Sequence, residues 1–405
     1  MKENTNQRRS PEYALSERSR QARPSRSTHP QVEAHLLPGN AVRLLCDGAQ
    51  TLPAMFAAIR HARRYVHLEY YVFEDVHCGG ESLSRLLVER CAAGVQIAII
   101  YDAVGSQHTP PAFLQTLRCA EVRLLSFNPV GAATARRGWS PNRRTHRKLL
   151  IVDGRVAIVG GINLSAKYED APKTAALRWR DTDLLLKGPA IAPLQQLFLE
   201  HWEEQNGRPL QGAIPASERG TPGQESVGII GSVPACGRPA YYNALLAALH
   251  SARSRIWITA GYFLPTAEQK AALIDAVKRQ VDVQLLLPSH SDSTAALAVQ
   301  RFGYAALLKF GVRIYERQGV ILHSKSVLVD SAWSAIGSSN FDRRSVRYND
   351  EVDVVVLGTR TANALARLFL ADVRSARRIE AAGWSRRPWL QRGRELFWKP
   401  WESLL

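Results

Sequence analysis

Cysteine is scarce and scattered in this chain. Cys46, Cys78, Cys91, Cys119 and Cys236 are an odd number, widely spaced, with no C-x-x-C pair. That argues against a disulfide framework or a zinc site and fits a reducing compartment. Long apolar runs are also missing. No stretch approaches the roughly 20 apolar residues that a membrane-spanning helix needs. The first 30 residues lack the apolar core of a secretory signal and are rich in Arg and Ser. They are expected to form a flexible basic tail, a solvated leader without a role of its own. Acidic residues are in deficit: 36 Asp+Glu stand against 53 Lys+Arg, a formal charge of +17. Such a balance calls for an anionic partner, whether nucleic acid, an anionic membrane or a phosphate-bearing substrate. What is present in quantity is ordinary core material. At 45% hydrophobic and 22% charged, the chain is globular, not disordered, collagen-like or a disulfide-stapled miniprotein.

The sequence repeats itself. Residues 62–73 align with 252–263, each after a helical pattern (55–62 and 242–252) and each entering strand-like alternation. A further buried strand follows in each half, at 96–101 and 283–287. Strand pairs come later, 148–152 with 156–159 and 325–329 with 333–336. Short β-branched strands alternating with helices predict an α/β fold of two similar α/β/α lobes about a pseudo-twofold axis. Residues 207–223 hold four Gly and three Pro, which suit a connection and not an element interior. The expected division is a tail at 1–30, a first lobe at 31–206, a linker at 207–225, a second lobe at 226–375 and a C-terminal segment at 376–405.

Each half carries the same constellation. His146 and Lys148 are followed by Asp153, Gly160 and Asn163; His323 and Lys325 are followed by Asp330, Gly337 and Asn340. One H-x-K-x4-D would arise by chance in about 0.03 of chains of this size, so two copies in register are a strong signal. On a strand, residues two apart share a face, so each His projects with its Lys. If the lobes pair about the axis, two His and two Lys converge. The lysines and the two Asn amides would grip a phosphate. One imidazole would attack phosphorus while the other serves as acid and then base. An Asp bonded to the far ring nitrogen would fix the tautomer. The lysines supply the charge stabilisation, so no metal or cofactor is expected.

This doubled pattern resembles the phospholipase D superfamily, over roughly residue 40 to the C-terminus. Within it the chain resembles the bacterial cardiolipin synthases. The likeness is carried by Glu69-Tyr-Tyr-Val-Phe-Glu74, Asp102-Ala-Val-Gly-Ser106, Asn142 to Lys148, Trp179-Arg-Asp-Thr182, Gly261 to Pro265, Ser291-Asp292 and Asn340 to Ser345, with Asn349 and Glu351. The shorter, B-like type is the better match. The resemblance implies a phosphatidyltransferase in which phosphatidylglycerol gives its phosphatidyl group to a histidine, releasing glycerol. A second phosphatidylglycerol then accepts it. Catalytic roles would fall to His146, Lys148, Asp153, His323, Lys325 and Asp330, with Asn163, Asn340 and Glu351 in support. His146 is favoured as nucleophile. Two departures stand out: Gly161 where Ser is frequent, and Asp183 where His is frequent.

A lipid substrate requires reaching a bilayer. Residues 384–405 hold Trp384, Trp389, Trp398 and Trp401, four of nine tryptophans. Leu390, Phe397, Trp401 and Leu404 recur at helical spacing, with Arg392, Arg394, Lys399 and Glu402 as polar cover. That suits the interface of an anionic membrane; a terminal helix docked on the protein's own core is the other reading. The expected location is peripheral, on the cytoplasmic face of the inner membrane. Arg136, Arg137, Arg143, Arg144 and Arg147 form a basic cluster before His146, expected either to steer a headgroup or to be a solvated loop. A phospholipase D-type hydrolase or a nucleic-acid phosphodiesterase would use the same two histidines. Nucleic acid is the weaker partner, because no run of interleaved aromatic and basic residues lies outside the terminus. A non-catalytic membrane binder would have let one motif decay.

Overall fold

A computed structural model describes residues 36–129, 140, 142–169, 178–210, 220–234 and 240–400. The tail at 1–30, residues 211–219 of the expected linker, Arg136, Arg137, Cys236, Trp401, Glu402 and Leu404 lie outside the described residues. The other four cysteines are free thiols.

The first half contains β1 (Leu37–Cys46), α1 (Asp47–Arg60), β2 (Tyr65–Tyr70), the small hairpin β3 (His77–Cys78) and β4 (Glu81–Ser82), α2 (Leu83–Ala92), β5 (Gln96–Asp102), α3 (Pro111–Cys119) and β6 (Arg123–Phe127). It continues with β7 (Arg144–Thr145), β8 (Lys148–Val152), β9 (Val156–Gly160), β10 (Trp179–Arg180), β11 (Thr182–Lys187) and α4 (Ile191–Glu204). The second half repeats this plan: β12 (Glu225–Ser232), α5 (Ala240–Ser251), β13 (Arg255–Ala260), α6 (Ala267–Lys278), β14 (Asp282–Pro288), α7 (Thr294–Lys309) and β15 (Arg313–Arg317). Then come β16 (Ile321–Leu322), β17 (Lys325–Val329), β18 (Trp333–Gly337), α8 (Arg343–Arg347), β19 (Asn349–Leu357), α9 (Thr359–Arg374), β20 (Ala376–Ile379), α10 (Ala381–Ser385) and α11 (Trp389–Trp398).

The main path of the sheet runs β20-β15-β14-β13-β17-β18-β19-β12-β1-β11-β9-β8-β2-β5-β6. Read outward from the β1–β12 junction, the two halves have the same strand order, as the repeat predicts. The middle strands are apolar on both faces because both faces are covered. On one face of the first half, α1, α2 and α3 enclose Met55, Phe56, Leu87 and Ile99. The corresponding face of the second half packs under α5, α6 and α7. A third cluster joins strands of both halves to Phe198 of α4 and Phe369 of α9, which makes the inner core common property.

The C-terminal segment is docked on the protein's own core, the second of its two sequence readings. Its inner side docks on α7: Trp384 packs on Tyr304 with ring centroids 5.1 Å apart, Arg387 lies over Trp384, and buried Glu395 pairs with Arg387. Its outer side leaves Trp389, Leu390, Leu396 and Phe397 exposed, each by more than 60%. No helix among the described residues is long and apolar enough to cross a membrane.

Candidate active site

The histidines are placed by two short strand exchanges. Strand β7, just before His146, pairs in parallel with the start of β19 in the other half. Strand β16, just before His323, pairs in parallel with β10 of the first half. Each exchange extends by one bond. The His146 N–H donates to the Asp350 carbonyl at 2.8 Å, and the His323 N–H donates to the Arg180 carbonyl at 2.8 Å. The residue following each of those carbonyls is an acid. Each histidine therefore meets a carboxylate from the opposite half.

Glu351 lies 3.0 Å from Nδ1 of His146, and Asp181 lies 2.7 Å from Nδ1 of His323. With Nδ1–H donated to the carboxylate, Nε2 is left for chemistry on each ring. Both histidines line one cleft of about 670 Å³, shared with Tyr71, Arg144, Asn163, Lys167, Trp179, Tyr262, Asp292, Asn340, Arg344 and Asn349. Tyr71 packs edge-on against His146, and Trp179 lies against His323 at 5.0 Å. Lys148 Nζ donates to the His146 carbonyl at 2.7 Å, and Lys325 Nζ donates to the His323 carbonyl. The His–Lys pairing expected from strand geometry is thus present in both halves.

The four basic groups are buried. Burial pushes Lys148 down to about 7, with Glu351 opposing and Lys325 adding to the fall. Burial likewise lowers Lys325. His323 is lowered to about 4 by burial and the Lys325 charge, against the pull of Asp181; His146 is lowered mainly by burial. Burial alone would raise the two acids. Instead Lys325 and His323 hold Asp181 at about 2, and His146 with Lys148 keeps Glu351 below its ordinary value. Both carboxylates are thus held ionised beside four basic groups whose charged forms burial disfavours; a bound phosphate would favour those charged forms.

Asp153 and Asp330 do something other than the tautomer fixing expected of them. Each stands at the far end of its five-residue strand, roughly 16 Å along from the lysine at strand spacing. Each occupies a hairpin turn with left-handed backbone, φ 52° and 54°. The Asp153 carboxylate accepts the N–H groups of Arg63, Arg64 and Tyr65 at 2.8–2.9 Å. Asp330 accepts those of Arg253, Ser254 and Arg255. Both pin the entry of a central strand to the hairpin. Asn163 and Asn340 do reach the cleft, and the Asn340 Oδ1 is buried without a partner.

Asp181 was missed as a site residue, although its segment was singled out. The available signal was a second repeat, Asp181-Thr-Asp183 against Glu351-Val-Asp353. Burial pushes both Asp183 and Asp353 up to about 8, and the Asp181 charge adds to the first. The Gly161 departure has a steric account. In the second half Ser338 donates to Glu351 and accepts the Val352 N–H at 2.9 Å. In the first half Asp181 takes the Thr182 N–H directly, at 2.8 Å. A Cβ on Gly161 would fall 2.2 Å from Asp181 Oδ1. Tyr168 supplies a hydroxyl to Asp181 at 3.1 Å instead.

The described members of the basic cluster, Arg143, Arg144 and Arg147, are half-buried or buried and not a solvated loop. Arg143 is paired with Asp350 and Glu204, and Arg147 is 1% exposed beside Glu69. Only Arg144 of the described members lines the cleft.

A duplicated α/β chain with two H-x-K strands meeting in one cleft defines the phospholipase D-like class of enzymes. The fold agrees: phosphatidylserine synthase of Haemophilus influenzae Rd KW20 superposes with a TM-score of 0.71, at 11% identity, covering 92% of this chain and 98% of that one. Residues 55–202 and 245–373 match the family described as "Cardiolipin synthase, PLD-like domain", and the chain belongs to that family. It is 36% identical to cardiolipin synthase A of Pseudomonas fluorescens over 91% of this chain and 76% of that protein. It is 34% identical to cardiolipin synthase of Geobacillus kaustophilus over 85% and 68%. The Pseudomonas relative bears the A-type name, not the B-type expected from the sequence.

Proposed function

We propose that the chain makes cardiolipin from two molecules of phosphatidylglycerol through a phosphohistidine, with His146 and His323 dividing the chemistry. The observation that carries this reading is the exchange of acids, which gives both histidines the same tautomer and frees both Nε2 atoms towards one cleft. In the first step one Nε2 attacks phosphorus. An N–P bond forms, the P–O bond to glycerol breaks, and the leaving oxygen takes a proton from the other imidazolium. In the second step the acceptor hydroxyl gives its proton to that same imidazole. Its oxygen bonds to phosphorus, and the N–P bond breaks. Lys148 and Lys325 hold the non-bridging oxygens throughout, with Asn163 and Asn340 beside them. The negative charge of the bound phosphodiester raises the basicity of the imidazoles and lysines, which burial depresses.

Attachment to the membrane is peripheral, at the cytoplasmic face, through the exposed side of α11 and its arginines. Purified protein incubated with labelled phosphatidylglycerol is expected to yield cardiolipin and glycerol in equal amounts. Phosphatidic acid alone would overturn the reading in favour of a hydrolase. His146→Ala and His323→Ala should each abolish turnover while leaving binding to anionic vesicles in place.

A further inference from the structure

The two halves of the cleft are alike at its centre and unlike at its rim. Two residues before His146 stands Arg144; two before His323 stands Ile321. The strand paired alongside brings Asn349 to the first and Trp179 to the second. One rim is cationic and amide-bearing. The other is aromatic, with Lys167 held 4.8 Å above the Trp179 ring.

Arg144 is 3% exposed, lines the cleft, and makes no hydrogen bond from any of its three guanidinium nitrogens among the described residues. Its nearest counter-charge is Asp102, 3.5 Å away. That carboxylate is already satisfied by the N–H groups of Val104, Gly105 and Thr145. Asn349 beside it donates from Nδ2 to Glu351, while its Oδ1 is buried and unpartnered. A buried guanidinium with unused donors is unfavourable unless an anion comes to it, and its planar fork fits two oxygens of a phosphate.

We propose that Arg144, with Asn349 beside it, is the subsite that holds the acceptor lipid's own phosphodiester during transfer. This rests on phosphatidylglycerol being the acceptor. The phosphate undergoing transfer occupies the two lysines. Water and glycerol bring no second anion, whereas phosphatidylglycerol carries one at the other end of a three-carbon bridge from its attacking hydroxyl. The fork of Arg144 takes that phosphate, and the secondary hydroxyl of the bridge donates to Asn349 Oδ1. The subsite makes and breaks no bond; it selects an alcohol that bears a neighbouring phosphate over one that does not.

The test measures acceptor choice in detergent–phosphatidylglycerol mixed micelles. Glycerol 3-phosphate and glycerol are offered as soluble acceptors, and cardiolipin and phosphatidic acid are quantified alongside. The wild-type chain is expected to prefer glycerol 3-phosphate at least tenfold in kcat/KM. In Arg144→Gln that preference should collapse, and the ratio of cardiolipin to phosphatidic acid should fall tenfold or more. A wild-type chain without the preference overturns the subsite, and that measurement decides the matter even if the variant does not fold. A folded variant that keeps the preference, or lowers both products with their ratio intact, overturns it too. A wild-type chain that forms phosphatidic acid but never cardiolipin overturns the reading on which the subsite rests.

Discussion

Asp181 and Asp183 are two residues apart and sit in opposite protonation states, one held at about 2 by Lys325 and His323, the other pushed up to about 8 by burial. An amide mimics a neutral carboxyl but not a charged one. Asp183→Asn should therefore change kcat by less than about threefold, while Asp181→Asn should cut it by a factor on the order of 10³–10⁴, as loss of an anionic orienter does in a histidine-based site. Steady-state kinetics on the two variants checks this, and equal effects would contradict the assignment of Asp181 to His323. The lysines give a pH prediction with a definite sign. The free cleft holds Lys148 at about 7, so a rise in pH through that value removes a charge needed to bind phosphate. The value of kcat/KM, which reports the free enzyme, should thus decline above pH 7. The basic limb of kcat should lie at higher pH, because bound phosphate favours the charged lysine. A kcat/KM flat from pH 7 to pH 9 would show that Lys148 keeps its charge in the free enzyme.

Elements of two residues decide what the histidines face. The repeat, the strands and the H-x-K spacing were legible because each is a local pattern: alternation along a strand, or a motif within one segment. The acid exchange was not. Strands β7, β10 and β16 are too short to show a period, and His146 and Glu351 are 205 residues apart. For the same reason Asp153 and Asp330, near in sequence, were read as partners of the histidines they cannot reach. The register of β10 depends on Arg180, which is buried, donates to Asp372 through Nε and Nη2, and pairs with Asp47 through Nη1. Removing one member of such a network leaves buried charge uncompensated. Arg180→Ala should cost about 3–5 kcal/mol in urea unfolding and displace Asp181 from His323. A loss below about 1 kcal/mol would mean that β10 is held by its neighbours and not by this arginine.

The charge of +17 acquires a distribution once the molecule is seen whole. Lys148 and Lys325 sit beside the two histidines, Arg144 lines the cleft, and Arg143 and Arg147 are held in internal ion pairs that the composition could not distinguish from surface charge. At the opposite end of the chain, α11 shows solvent Trp389, Leu390, Leu396 and Phe397 alongside exposed Arg392 and Arg394. Burying a large apolar side chain is worth about 1.5–3 kcal/mol, and each cation near an anionic surface adds about 1 kcal/mol. Replacing Trp389, Leu390 and Phe397 together by serine removes more than enough apolar area for a tenfold effect, since 1.4 kcal/mol is about one decade. The triple variant should bind phosphatidylglycerol vesicles at least tenfold more weakly in a sedimentation assay, with its unfolding midpoint little changed because these side chains touch the core least. Its residual binding should be the more salt-sensitive of the two, being left to the arginines alone. Undiminished binding would move the membrane-facing surface away from α11 and return its apolar side to the role of a contact with protein.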